Sequence, residues 1–538
     1  MAVKCVISLV ILVDLLNTAV TFKEDQSHWL KTGEEELTKA LNKRLIEGTA
    51  KNVILFIGDG MGLTTITSSR IYGKGEAGHL AWEKFDNIGV LKTYSANKLV
   101  PDSCSTGTAL FCGVKANHKT AGVDATVEKD DCEASMRKNA QLDSIISWAQ
   151  DAGKSTGFVT TTRVTHATPA ALYAHVPNRG WECENKIPTT ASKCKDIAKQ
   201  LVEDMPGKNI QVIMGGGRQC LVSSVNGSDA DPIDTWSCYS TDGRHLIEDW
   251  KQDKAARGLS YQFVTNNREL ENLDTSVDYT LGIFANGHLK MDYARDKGPT
   301  GMPSLQNMTV KAIQLMAKKR NGYLLMVEGG MIDFAHHRGH ARQALDETIA
   351  FSNAIEKTIQ ITDPHETLII VTSDHSHSMV LTGYPDRGSG VLSYTKSEID
   401  LMPFTSLLYG TGGPNNYQFE ATNGTVKRQD PSVNDTTDFA YSQQAVVMTD
   451  EVTHSGTDVL VFSKGPMAHL LNSVHEQTYV AYVISYASKI GPFKDKNTTN
   501  GSKKCNRGIF YGVGNHCLRN DNPFRNFSYL RRAVKAKR

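Results

Sequence analysis

Ser103 sits in the run Pro101-Asp102-Ser103-Cys104-Ser105-Thr106-Gly107-Thr108-Ala109, which reads as a loop or strand end entering a helix that continues through Cys112. A serine at a helix N-terminus meets the positive end of the dipole, which favours an anion such as phosphate. The same placement also suits a plain N-cap, so Ser103 needs partners before it counts as a nucleophile. Candidates occur in four other segments: Gly58-Asp59-Gly60-Met61-Gly62; Arg163, His166 and Thr168, with Arg179 further on; Glu328 through Asp333-Phe334-Ala335-His336-His337; and Ser373-Asp374-His375-Ser376-His377. Singly, these read as a tight turn, a surface ion pair or a loop dipeptide. Together they indicate a shared metal site. Asp333 and His337 are four apart and fall on one helical face. Zinc takes mixed imidazole and carboxylate ligands, whereas magnesium prefers oxygen. Asp333, His337 and one more histidine would therefore make an open zinc site, and Asp374 with His375 a second. Glu328, Thr168 and a carboxylate would suit magnesium.

Such residues must be held by rigid elements. Short, nearly continuous apolar runs at 53–57, 156–160, 210–214, 323–327, 367–371 and 459–462 read as strands buried on both faces, as in a parallel sheet. Each of the first, second, fourth and fifth runs leads into one of the polar segments, and in open α/β sheets ligands bind beyond the carboxyl ends of the strands. Helical periodicity lies between them; in 342–361, Leu345, Ile349, Ile355 and Ile359 share a face. The fold class expected is α/β: a three-layer α/β/α sandwich with a large, mostly parallel central sheet. An amphipathic helix at 29–46 precedes the first strand and is expected to pack on a partner subunit or on its own domain. Between 388 and 450 the apolar runs thin, which predicts a small inserted crown-like region standing on the sheet. The organisation expected is a signal peptide over 1–20, a catalytic domain over 21–500 and a polar, basic extension over 501–538.

The chain has 538 residues and a net charge of +1, so no global field draws nucleic acid and no nucleic-acid binding is expected. Lys4 followed by an apolar run over 6–16 and small residues matches a secretory signal. The run is too short for a membrane anchor, and the basic end over 529–538 is the opposite of the apolar tail that a glycolipid anchor requires. A secreted, extracellular product is expected. The cysteines fit an oxidising compartment: Cys505 with Cys517, and Cys220 with Cys238, could each close a local loop, and removal of Cys5 leaves nine, hence at least one free thiol. Sequons at Asn226, Asn307, Asn423, Asn434, Asn497, Asn500 and Asn526 permit glycosylation.

Taken together, Asn52-Val-Ile-Leu-Phe-Ile-Gly-Asp-Gly-Met-Gly62, Pro101-Asp-Ser103 with Cys112-Gly-Val-Lys-Ala-Asn117, Thr160-Thr-Thr-Arg-Val-Thr-His-Ala-Thr-Pro169, Val327-Glu-Gly-Gly330, Asp374-His-Ser-His377 and Thr453-His-Ser-Gly-Thr-Asp458 closely resemble the animal alkaline phosphatases. The resemblance implies phosphate monoester hydrolysis with broad substrate choice, through a phosphoserine at Ser103, with two zinc ions and one magnesium ion per subunit of a homodimer. It assigns Asp333, His337 and His454 to one zinc, and Asp374, His375 and Ser103 to the other. Asp59 would bridge to magnesium, which Thr168 and Glu328 complete. Arg179 would bind phosphate, with His166 beside it, and Cys132–Cys194 would be a disulfide. Three departures stand out. Phe334 replaces the histidine usual in vertebrates or the lysine of many bacterial members, Ser105 replaces a glycine, and Ser488 replaces a cysteine. The stretch Phe284-Ala285-Asn286-Gly287 lacks the acid that matches an additional calcium site, so calcium is not predicted. A related sulfatase or phosphodiesterase fits less well, because a sulfatase modification motif is missing and the Ser103 context argues against both. A secreted metal-binding protein without turnover is the reading from another class.

Overall fold

Ile57 lies level with Glu328 on one neighbouring strand and with Thr372 on the other, and that register sets the architecture of the site. The structure, a computed structural model, describes residues 25–223, 225 and 238–495. Ten strands form the main sheet: β1 (Asn52–Gly58), β2 (Asn87–Lys92), β3 (Ser155–Arg163), β4 (Val212–Gly216), β5 (Tyr261–Val264), β6 (Tyr279–Ile283), β7 (Tyr323–Gly329), β8 (Thr367–Thr372), β9 (Val459–Lys464) and β10 (Ser473–Glu476). Their spatial order is β10-β2-β9-β8-β1-β7-β3-β4-β6-β5. All six expected strands are present. One needs correction: β9 runs antiparallel to both β2 and β8. A strand covered on both faces is apolar throughout whichever way it runs, so its direction is not written in its composition.

The apolar residues of β1 divide by period two. Val53, Leu55 and Ile57 join one buried cluster with Phe111, Ile146 and Ile484, while Ile54 and Phe56 join another with Met308, Phe351 and Ile355. Helices cover both faces, giving the three-layer α/β/α sandwich. On the second face Phe351 meets Phe56 edge-on at 5.8 Å and Trp82 at 5.6 Å. Each such aromatic pair contributes about 0.5–1.5 kcal/mol beyond its buried area. Gly329 makes the approach possible, because a Cβ there would meet the Phe351 ring at 2.8 Å.

Four helices concern the argument: α1 (Gln26–Leu41), α2 (Ser103–Cys112), α3 (Met331–His337) and α4 (Ala341–Ile361). Helix α1 starts at the Asp25 cap and stops at Leu41, short of Ile46; none of its residues is buried, and Trp29, Leu37 and Leu41 are exposed. In α4, Leu345 and Ile355 are buried, and Ile349 and Ile359 pack against the core from its margin. Between 379 and 448 the strands leave the main sheet and pair in a three-stranded sheet and two hairpin-like pairs.

Cys132 and Cys194 are disulfide-bonded. The expected loop between Cys220 and Cys238 does not form, because Cys238 bonds Cys183 instead. The thiol of Cys220 remains a buried neighbour, 3.3 Å from the carbonyl of Cys238. Among the described residues, Cys104 and Cys112 are also free and buried. Asn307, Asn423 and Asn434 are exposed. The signal peptide expected over 1–20, Asn226, Asn497, Asn500, Asn526, Cys505, Cys517 and the expected basic extension lie outside the described residues. Among the described residues no helix is long and apolar enough to cross a membrane.

Candidate metal and phosphate site

Because β1, β7 and β8 end in register, Asp59, Glu328 and Asp374 emerge side by side at the carboxyl edge of the sheet, and all three are fully buried. The turn after β1 is tight. Gly60 has φ of 67°, and a Cβ there would strike the His377 ring at 2.6 Å. The amide of Gly60 donates to Asp374 Oδ1 at 3.1 Å, which ties the β1 and β8 ends together.

Helix α3 brings in Asp333 and His337, whose facing atoms are 3.3 Å apart. His454 comes from the segment before β9, paired with His377 in a two-residue ladder. Nδ1 of His337 lies 2.8 Å from the carbonyl of Val452, and Nδ1 of His454 lies 2.9 Å from that of Pro101. A carbonyl only accepts, so each ring carries its proton on Nδ1 and presents a lone pair at Nε2. Those two Nε2 atoms face each other at 3.0 Å, with Asp333 Oδ1 3.4 Å from that of His454. Three electron-rich atoms converging on one point need a cation between them. Burial works against protonation of His337, yet the Asp333 carboxylate, helped by Glu451, pushes it up to about 9, so below that pH a proton takes the Nε2 lone pair and a metal ion would have to displace it. The position attracts positive charge.

A second group of donors surrounds His375. Its Nε2 lies 3.3 Å from Asp374 Oδ2, 3.6 Å from Asp59 Oδ1 and 3.2 Å from Ser103 Oγ. A third comprises Asp59, His166 and Glu328, with Thr168 on the short helix Ala167–Ala170. Glu328 Oε2 accepts from the hydroxyl of Thr160 at 2.5 Å, but its Oε1, both oxygens of Asp59 and Thr168 Oγ1 are buried without a hydrogen bond. Buried polar atoms are rarely left so. Burial, then repulsion from Asp374, Asp333 and Glu328, pushes Asp59 well above the usual carboxylate range. These residues fit metal ions: a nitrogen-rich group of the kind zinc prefers, and an oxygen-rich one with a single imidazole.

Ser103 opens α2 but does not cap it. The cap is Asp102, which accepts from the amides of Cys104 and Ser105. Ser103 is thus the first residue of the helix, and its side chain is turned to the donors instead of to its own backbone. The Asp102 carboxylate also holds Arg179, with Nη1 to Oδ2 at 3.2 Å. Burial raises the Asp102 pKa, but Arg179, His118, the Lys119 amide and the Ser105 hydroxyl outweigh it and leave the carboxyl below its usual range. Nη2 of Arg179 donates to His166 Nε2 at 3.1 Å, so His166 is neutral; burial first, then the Arg179 charge, holds its pKa well down. A cavity of about 1190 Å³ opens over Arg179, His166, Asp333, Phe334, His337 and His454.

All the residues expected to share the site come together. His377, named in its candidate segment without a role of its own, sits on Asp333, and three others were not foreseen as participants: Asp102 beneath Arg179, His118 at 3.5 Å from Asp102, and Glu182, which pairs with Arg163 at 2.7 Å beside the cavity.

A family model described as alkaline phosphatase matches residues 50–490, most of the chain. The chain belongs to the alkaline phosphatase family. It is 42% identical over 492 residues to the tissue-nonspecific isozyme of alkaline phosphatase from Homo sapiens, covering 89% of this chain and 91% of that protein. It is 41% identical to an alkaline phosphatase from Gadus morhua over 86% of this chain and 97% of that one. With the membrane-bound alkaline phosphatase of Bombyx mori it shares 37% identity over 87% and 86%. Among solved structures, the alkaline phosphatase of the Antarctic bacterium TAB5 superposes with a TM-score of 0.56 at 23% identity, covering 82% of this chain and 99% of that one, a likeness of fold. As a member of this metal-dependent alkaline phosphatase family, the protein is a phosphomonoester hydrolase.

Proposed function

We propose that this alkaline phosphatase works through Ser103 as nucleophile and Arg179 as phosphate clamp, with two zinc ions and one magnesium ion in each subunit. The observation that carries the reading is the pair of Nε2 lone pairs of His337 and His454 facing each other at 3.0 Å beside Asp333, with Ser103 Oγ on the next donor group, 3.2 Å from His375. Asp333, His337 and His454 would hold one zinc; Asp374, His375, Asp59 and Ser103 the other; Asp59, Thr168 and Glu328 the magnesium, with His166 within reach. When bound, these ions supply positive charge that lowers the pKa of a coordinated hydroxyl and neutralises the phosphoryl oxygens.

Ser103 Oγ attacks phosphorus in line while the ester oxygen departs, and the alcohol takes up a proton. Water then attacks the phosphoserine, restoring the hydroxyl and releasing inorganic phosphate. Arg179 is fixed by Asp102 and His166, so its guanidinium can engage two phosphoryl oxygens without reorganising. Donors that bind only the phosphoryl group leave the alcohol unconstrained, which gives broad substrate choice.

The wider setting follows the same reading. Two disulfides among the described residues suit an oxidising compartment and a secreted glycoprotein. The exposed apolar side chains of α1 suit burial against a second copy in a homodimer.

The test is hydrolysis of phenyl phosphate at alkaline pH by protein loaded with zinc and magnesium, together with metal analysis. Turnover with about two zinc ions per chain is expected, and chelation should abolish activity and lower the melting temperature, since binding to the folded state alone stabilises it. A protein that binds both metals and turns over no aryl phosphate would refute the reading.

A further inference from the structure

One wall of the cavity carries a row of rings and cations that runs from the phosphate clamp out to groups the reaction above leaves unused. It starts at the phosphate clamp, where Arg179 touches His166. The His166 ring stands edge-on to His288 at 5.1 Å, and His288 tilts against Phe334 at 5.3 Å. The Arg338 guanidinium lies over the Phe334 ring, 4.1 Å from its centroid. All of these side chains line the same cavity.

Arg338 follows the zinc-site histidine His337 directly and is the C-cap of α3, so its backbone is fixed to the site. Its side chain is exposed and rests on the Phe334 ring. A phenyl ring braces a guanidinium through its π face and takes none of its N–H groups, so the fork stays free to donate. Of the carboxylates lining the cavity, Asp102 is held by Arg179, Asp333 by His337 and His377, Glu182 by Arg163 and Glu451 by His337, which leaves Asp450 as the acid without an ion pair of its own among the described residues. At about 1190 Å³ the cavity is far larger than one phosphoryl group needs.

We propose that Arg338, braced on Phe334, forms a subsite for a second anionic group. The enzyme then favours phosphate monoesters whose leaving group carries a carboxylate or a further phosphate. This rests on the reading that Ser103 and Arg179 handle the phosphoryl group. A guanidinium suits the role because it is always charged and pairs with carboxylate or phosphate through two parallel bonds.

The experiment uses the metal-loaded enzyme and two esters with the same ring, 4-carboxyphenyl phosphate and phenyl phosphate, and reads the ratio of their kcat/KM values. In Arg338→Gln that ratio should fall about fivefold, the scale of one exposed ion pair. Arg338→Glu should lower it further, and Arg338→Lys should restore most of it. High salt should shrink the difference between wild type and Arg338→Gln. A ratio unchanged within about twofold in Arg338→Gln, with phenyl phosphate still hydrolysed, overturns the subsite alone. Failure of the wild type to hydrolyse either ester overturns the parent reading and the subsite with it.

Discussion

Asp102 caps helix α2 and, with the same carboxylate, holds Arg179 at 3.2 Å, so the helix that presents Ser103 and the guanidinium proposed to clamp phosphate share one anchor. Removing it should disturb both. Asp102→Ala loses the cap and strands a largely buried guanidinium, a loss of about 2–4 kcal/mol in thermal or denaturant unfolding. Asp102→Asn keeps a capping acceptor and loses the ion pair. Its stability should fall less, while the inhibition constant for inorganic phosphate rises about tenfold. Equal phosphate affinity in Asp102→Asn and wild type would show that Arg179 does not depend on this partner.

Phe334 is half-buried in the cavity wall between His288 and Arg338. It offers the phosphate no hydrogen bond. Phe334→His should tighten competitive inhibition by inorganic phosphate about three- to tenfold, the scale of one added hydrogen bond. Unchanged inhibition would mean that this side chain does not reach the anion.

Much of this was legible in the sequence. The central strands appear as apolar runs because both faces are covered, and the residues after them are polar because the sheet edge is where the chemistry sits. Strand β2 escaped notice because exposed and buried positions alternate along it, and β5 because it is a four-residue edge strand with half-buried side chains. The acids, histidines and hydroxyls that converge at the sheet edge were legible from chemistry and resemblance. Asp102, His118 and Glu182 act by touching another side chain of the site, and such contacts leave no spacing in one sequence; His377 stood in a candidate segment, but its contact with Asp333 did not show there. Ser103 was correctly placed at a helix start, yet only the structure shows that its neighbour Asp102 does the capping. Chain direction in β9 and the choice of Cys183 over Cys220 as partner of Cys238 are tertiary outcomes.

Glu347, on α4, is buried against Asp292, whose amide donates to it at 2.5 Å. Burial first, then the charges of Asp292 and Asp346, pushes its pKa up to about 8 despite the amide and Arg295. The folded state therefore holds a proton that the unfolded chain, with an ordinary carboxyl, has released. Stability falls as pH rises from about 4.5 through about 8, because ionisation is disfavoured only in the folded state. Glu347→Gln removes that slope. Its melting temperature relative to wild type should be higher at pH 9 than at pH 6, and a difference independent of pH would contradict the assignment.

The central claim is that Ser103 becomes phosphorylated. Its most direct test is acid quenching of the zinc- and magnesium-loaded enzyme during turnover of a phosphate monoester, followed by mass spectrometry of the peptide spanning residues 101–112. The account predicts one added phosphoryl group on Ser103 in the wild type and none in Ser103→Ala, which should also lose turnover. Phosphate captured on another residue, or normal turnover by Ser103→Ala, would contradict it.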